Sequence, residues 1–128
     1  MSEDAQAIGR YIARVPEARR ERALALHGLI LSLFPQAAAS LERRMPTYRL
    51  GANFIAWGSV RQHLVVQTCS AERVAGFRAR HARVQGARGC LRFRDGERLP
   101  LADLAQVVKS ALAPSRAMLA REVAKGRR

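Results

Sequence analysis

Between Glu17 and Phe34 the apolar positions Ala23, Leu26, His27, Ile30, Leu33 and Phe34 recur at helical spacing and form one face. Pro16 suits the first turn of that helix, Glu17 favours the positive end of its dipole, and Pro35 stops it. Arg19, Arg20 and Arg22 are expected mostly off the apolar stripe. The pattern then changes to period two. Ala37 to Leu41 reads as a short strand or a loop leading into one. Thr47–Leu50 and Asn53–Ile55 flank Gly51-Ala52, which reads as a tight hairpin, and the second strand continues to about Ser59. A turn near Val60-Arg61 leads to a third strand, Gln62 to Thr68. With two-residue turns, Tyr48, Ile55, Trp57, Leu64 and Val66 share the face that packs on the helices. Phe54, Ala56, His63, Val65 and Gln67 then lie on the other face.

Ser70 is placed to cap a helix from Ala71 to about Ala82, with Val74, Phe77 and His81 turned inward. Gly86-Ala-Arg-Gly89 interrupts the chain as a turn needing positive φ. A strand follows at Cys90–Phe93, and Asp95-Gly96 turns it. Leu99-Pro100 opens the last core helix, with Leu101, Leu104, Ala105, Val108, Ala111 and Leu112 as its stripe, and Pro114 ends it. Ser115 is suited to cap a further short helix carrying Met118, Leu119 and Val123, which finishes in the basic end Lys125-Gly-Arg-Arg128. The order is helix, three strands, helix, strand, helix. It predicts one α+β domain over residues 1–113, its helices packed on an antiparallel sheet, followed by a basic helical extension at 114–128.

The length of 128 residues fits one domain and one core. No apolar run approaches the roughly 20 residues that span a bilayer, and Met1 to Arg10 lacks the features of a signal peptide. Cys69 and Cys90 form no Cys-x-x-Cys pair and read as reduced structural thiols. A cytoplasmic protein with no membrane association is expected.

Charge changes this picture. There are 23 Lys and Arg against 10 Asp and Glu, a net +13 and a pI near 11.6. Lysine occurs only at Lys109 and Lys125. Such a balance attracts nucleic acid, acidic proteins and phosphorylated small molecules. Spread along the chain as they are, the arginines also suit plain solvent-facing positions. Arg43, Arg44, Arg49, Arg61, Arg92 and Arg94, or the basic C-terminal end, could form a phosphate-binding surface indifferent to sequence. An aromatic stacking platform is poorly supplied, because Trp57 and Tyr48 read as core and only Phe54 faces outward.

Catalytic and metal motifs are sparse. His27, His63 and His81 have no second His, Cys or carboxylate at metal-ligand spacing. His27 reads as a packed, hydrogen-bonded core residue, and His81 as a helix-end residue. His63 begins a strand beside Arg61 and near Trp57 and Tyr48, so these four form the candidate ligand site. Cys69 has no assignable base, and neither a Gly-x-Ser-x-Gly elbow nor a Walker A loop is present. No catalytic residue, cofactor or metal ligand is assigned.

Read together, Tyr11-Ile12, Val15-Pro16-Glu17, Met45-Pro46-Thr-Tyr48-Arg-Leu, Asn53-Phe-Ile-Ala-Trp57, His63-Leu64, Gly86-Ala-Arg-Gly89-Cys-Leu-Arg-Phe93, Leu99-Pro100-Leu101 and the closing helix with Lys109 resemble the YdhG-like family, a bacterial domain-of-unknown-function family. The resemblance covers roughly residues 8–112. It implies a compact α+β fold similar to frataxin, and, from one branch of the family, an intracellular iron-chaperone role. No iron ligand is carried over. Iron on such a surface takes clustered carboxylates, whereas Glu17 and Glu21 are interrupted by Arg19, Arg20 and Arg22, and Glu42 is followed by Arg43 and Arg44.

The reading that results is a non-enzymatic domain binding a small ligand, an ion or a protein partner. The alternative is an accessory nucleic-acid-binding protein using arginine–phosphate contacts. An enzyme acting on an anionic metabolite is a third reading, for which no acid–base or nucleophile constellation is present.

Overall fold

The computed structural model describes residues 3–113. The chain runs α1 (Glu3–Arg14), α2 (Glu17–Leu33), β1 (Ala38–Glu42), β2 (Met45–Leu50), β3 (Asn53–Val60), β4 (His63–Thr68), a 3-10 turn (Ala71–Val74), α3 (Ala75–Arg80), β5 (Cys90–Arg94) and α4 (Leu101–Leu112). The five strands form one antiparallel sheet in the order β1-β2-β3-β4-β5. This is the expected α+β architecture. The expected helix at 114–128 lies outside the described residues.

Helix α1 is an element that the sequence patterning did not separate. Its acidic first turn (Glu3, Asp4) and its Arg14 in the last turn both suit the helix dipole. Ile8 and Ile12 are buried in α1, and Val15 just beyond it continues that face. Pro16 divides α1 from α2 and sits at the N-cap of α2. The buried residues of α2 are Arg19, Ala23, Leu26 and Ile30. Their spacing of four, three and four places the arginine on the apolar stripe, contrary to expectation.

Segment 37–41 resolves as a strand. Ala39 pairs with Tyr48 and Leu41 with Pro46. The β3–β4 turn is Arg61-Gln62, one residue later than expected, with Val60 opposite His63. The turn keeps its two-residue length, so every partner moves by two and no side chain changes face. Tyr48, Ile55, Trp57, Leu64 and Val66 therefore share the inner face with Leu91 and Phe93, and all seven are essentially inaccessible. Against them pack Ile8 and Ile12 of α1, Leu26 and Ile30 of α2, Phe77 of α3 and Leu104, Val108 and Leu112 of α4. Each fully buried aliphatic contributes roughly 1.5–3 kcal/mol.

Two local departures from expectation lie in the second half of the chain. The segment after Ser70 starts as a 3-10 turn and continues as only six helical residues, with no side-chain cap bond from Ser70. Leu101, expected inward, is 39% exposed in the first turn of α4, and Val107 is buried instead. The far end of α4 is stapled to the sheet. Arg73 donates through Nη1 to the Ser110 carbonyl and, at 2.7 Å, to that of Ala113. Its Nη2 donates to Asn53 Oδ1 at 3.1 Å, and Asn53 Nδ2 donates to the Ala113 carbonyl at 3.1 Å. A cation and an amide thus satisfy carbonyls left orphaned where the helix ends.

Candidate functional site

The structure separates the four residues of the candidate ligand site. Tyr48 and Trp57 lie at 0% exposure on the inner face. Trp57 Nε1 donates to the Tyr48 hydroxyl at 2.9 Å, and His27 Nδ1 lies 2.7 Å from that same oxygen. The Tyr48 hydroxyl thus accepts from Trp57 and pairs with His27 Nδ1, a contact that suits a neutral imidazole accepting the phenolic proton. Burial works in the same direction, lowering the His27 pKa and raising that of the Tyr48 phenol. Tyr48 and Trp57 are therefore structural groups, and His27 is hydrogen-bonded as expected, though half-buried. His63 lies on the opposite face, between Val60 and Arg94, and Arg61 occupies the neighbouring turn.

The depressed His27 pKa has a consequence for stability. A histidine harder to protonate folded than unfolded favours folding above its unfolded value of about 6.5. That contribution is lost as pH falls through this value toward the folded one. Urea midpoints should decline from pH 7 to pH 5, and His27→Gln should flatten that decline. An equal decline in the variant would assign it to other groups.

The outer face of the sheet carries no helix among the described residues. Across it run Arg49 and Phe54, then His63, Val65 and Gln67, then Arg92 and Arg94, the strand pairings setting Arg49 opposite Phe54, Val65 opposite Arg92 and His63 opposite Arg94. Arg92 and Arg94 are exposed. Two residues apart on edge strand β5, they stand about 7 Å from one another. Phe54 is not free for stacking, because the Arg49 guanidinium lies 5.3 Å from its ring centroid. Arg49 also grips both oxygens of Glu42 at 2.7 Å, which holds that carboxyl below its usual pKa.

A second arginine cluster forms at the end of the sheet where the β1–β2 and β3–β4 turns meet the start of α2. Among the described residues, every non-glycine with positive φ is an arginine: Arg43 (52°), Arg44 (65°), Arg61 (52°) and Arg88 (47°). A left-handed backbone costs a side-chain-bearing residue about 1–2 kcal/mol, and hairpin turns of this kind favour Asn and Gly. Arg44 and Arg61 face a cleft of about 570 Å³ that Arg14, Arg19, Tyr11 and Ser59 also line. Arg19 is only 7% exposed, its Nη1 donating to Ser59 Oγ at 2.7 Å and its Nε lying 2.9 Å from Asp95 Oδ1. That Nε–H is not aimed at the oxygen as a hydrogen bond. The contact is a pairing of charges, and Arg22 shares the carboxylate at 3.3 Å. Charge and spacing along the sequence point to Arg44 and Arg61 but not to Arg14 or Arg19.

A third polar cluster ties α3 to α4. His81 Nε2 is 2.6 Å from Asp103 Oδ2, Arg80 Nη1 is 3.1 Å from Asp103 Oδ1, and Phe77 stacks on His81 at 4.3 Å. The His81 bond, ahead of Arg80, keeps the Asp103 carboxyl below its ordinary range. Cys69 and Cys90 are both free thiols, Cys69 exposed and Cys90 half-buried, and burial pushes the Cys90 thiol up. No group of three or more His, Cys, Asp or Glu converges as a metal site among the described residues. No helix among them is long and apolar enough to cross a membrane.

No family model matches the chain, and no curated protein matches it either. Among solved structures it is similar to YdhG of Bacillus subtilis, a protein of the DUF1801 family, with a TM-score of 0.71 over 81% of this chain and 86% of that one. At 16% identity the likeness is one of fold. Together with the ordered motifs from Tyr11 to Lys109, it supports the resemblance to the YdhG-like family, with which this chain shares its α+β fold.

Proposed function

We propose that this protein binds nucleic acid without sequence preference, through the phosphate backbone, on the open face of its sheet. The observation that carries this reading is that the exposed Arg92 and Arg94 stand on a sheet face that no described helix covers. Guanidinium groups suit phosphate oxygens, and contacts to phosphate alone carry no base information. With Phe54 already stacked under Arg49, base stacking adds little to this surface.

Iron carriage, the role implied by one branch of the resembling family, would need several free oxygen donors on one ridge. Here Asp95 is held by Arg19 and Arg22, Glu42 by Arg49, and Asp103 by Arg80 and His81. These three carboxylates are thus engaged by the protein's own cations.

Fluorescence anisotropy of a labelled oligonucleotide across a salt series tests the proposal. Deleting one arginine that neutralises a phosphate lowers the slope of log K against log salt by about 0.7–0.9. The Arg92→Ala/Arg94→Ala double variant should therefore bind with a slope shallower by roughly 1.5 and weaken equally on unrelated sequences. An unchanged slope in a folded double variant sinks the proposal.

A further inference from the structure

The cleft at the turn end of the sheet lies on the helix side, apart from the open face, and its chemistry is different. Arg14, Arg19, Arg44 and Arg61 line it together with the hydroxyl-bearing Tyr11 and Ser59, and its remaining lining is aliphatic. Among the described residues no carboxylate lines it. Among the described residues Arg19 pairs with Asp95, which also pairs with Arg22, so two guanidinium charges share one carboxylate. Arg19 is held in place by Ser59 while Arg14, Arg44 and Arg61 remain exposed. Ser59 is fixed in turn, its backbone N–H donating to the Tyr11 hydroxyl at 2.9 Å. One buried, immobilised arginine and three exposed ones line the same cleft and make it cationic, and its volume of about 570 Å³ suits a small molecule better than a helix or a duplex.

We infer that this cleft binds a terminal phosphoryl or pyrophosphoryl group, the kind carried by a phosphorylated small molecule or by the 5′ end of a nucleic acid. Several guanidinium forks converging on one group favour a compact dianion whose oxygens can accept from more than one of them. Arg44 and Arg61 reach the cleft from backbone positions where a glycine would be more stable. Stability is thus given up to place a cation, as expected where a side chain serves a ligand.

The test is a titration of the ¹⁵N-labelled full chain with inorganic pyrophosphate at physiological ionic strength, followed by amide chemical shifts. Saturable shifts are expected at Arg44, Ser59 and Arg61 and not at Arg92 or Arg94. Arg44→Gly and Arg61→Gly should each weaken binding by roughly tenfold or more. Their melting temperatures should hold or rise, because glycine tolerates the left-handed φ, so misfolding cannot account for the loss. A second arm compares 5′-phosphorylated and 5′-hydroxyl oligonucleotides. If only the phosphorylated one displaces pyrophosphate, the ligand is a nucleic-acid end. If neither does, it is a free small molecule. Shifts of equal size at Arg92 and Arg94, or binding that survives both glycine variants, would overturn the inference. The result is separable from nucleic-acid binding on the open face, because Arg92 and Arg94 do not line this cleft.

Discussion

Replacing Gly86 with alanine should destabilise the protein by about 3 kcal/mol or more, while Gly51→Ala should cost only about 1 kcal/mol. Both glycines have positive φ, 133° at Gly86 and 62° at Gly51. The difference is space. A methyl group at Gly86 would sit 2.1 Å from the Cys90 carbonyl oxygen and 2.7 Å from its carbon, whereas one at Gly51 would meet nothing within 4 Å. The backbone around Gly86 cannot easily yield, since Arg78 Nη2 donates to the carbonyls of Gly86 at 2.8 Å and Cys90 at 2.6 Å. The loop also feeds β5, through the bridge between Gln85 and Arg92. Urea denaturation of the two variants measures the contrast. Equal midpoints would mean that this loop does not hold the geometry described.

Tyr48→Phe is expected to lower stability by about 2 kcal/mol, or roughly 8 °C in melting temperature. Phenylalanine keeps the ring and the packing and removes one oxygen. That oxygen is the acceptor for Trp57 Nε1 and the partner of His27 Nδ1. Trp57 is fully buried, so its N–H would be left with no acceptor and would carry the full cost of lost hydration. His27, half-buried, can recover a partner from water. The tryptophan therefore carries most of the penalty, and Trp57→Phe in the Tyr48→Phe background should add less than it does alone. Strict additivity in that double-mutant cycle, followed by thermal denaturation, would break the link between the two residues.

The inner sheet face was legible in the sequence because period-two alternation survives a one-residue error in turn position, provided the turn keeps its length. Gly86 was legible as a turn glycine because few other residues tolerate such φ. Helix α1 was not legible, because only Ile8 and Ile12 are fully buried within it, too few repeats for a period to emerge. Its place is fixed by packing against β1. Arg19 did carry a signal: it stands four residues before Ala23, seven before Leu26 and eleven before Ile30. A charged residue in register with an apolar stripe marks a buried cation that needs a partner. Neither Asp95 nor Ser59, its partners, could be found from spacing, since they lie 76 and 40 residues downstream and meet it only through the fold. The candidate ligand site came apart for a related reason. Tyr48 and Trp57 are close to His63 and Arg61 along the hairpin, but strand alternation sends Trp57 and His63 to opposite faces.

The strand order follows the chain order, so each strand's partners in the sheet are its neighbours in sequence. The three two-residue hairpins that join β1 to β4 close in microseconds and carry little loop entropy, which favours rapid zipping of these four strands. Strand β5 joins only after the longer segment 69–89. The slow step is then the return of α4, whose stapled end brings Asn53 and Ala113 together across 60 residues. During synthesis, a chain whose β5 has already emerged would hold a complete sheet with the inner face of β3 still lacking α4. The arginines on its outer face would meanwhile confer charge repulsion between nascent copies, restraining their self-association until the last helix docks.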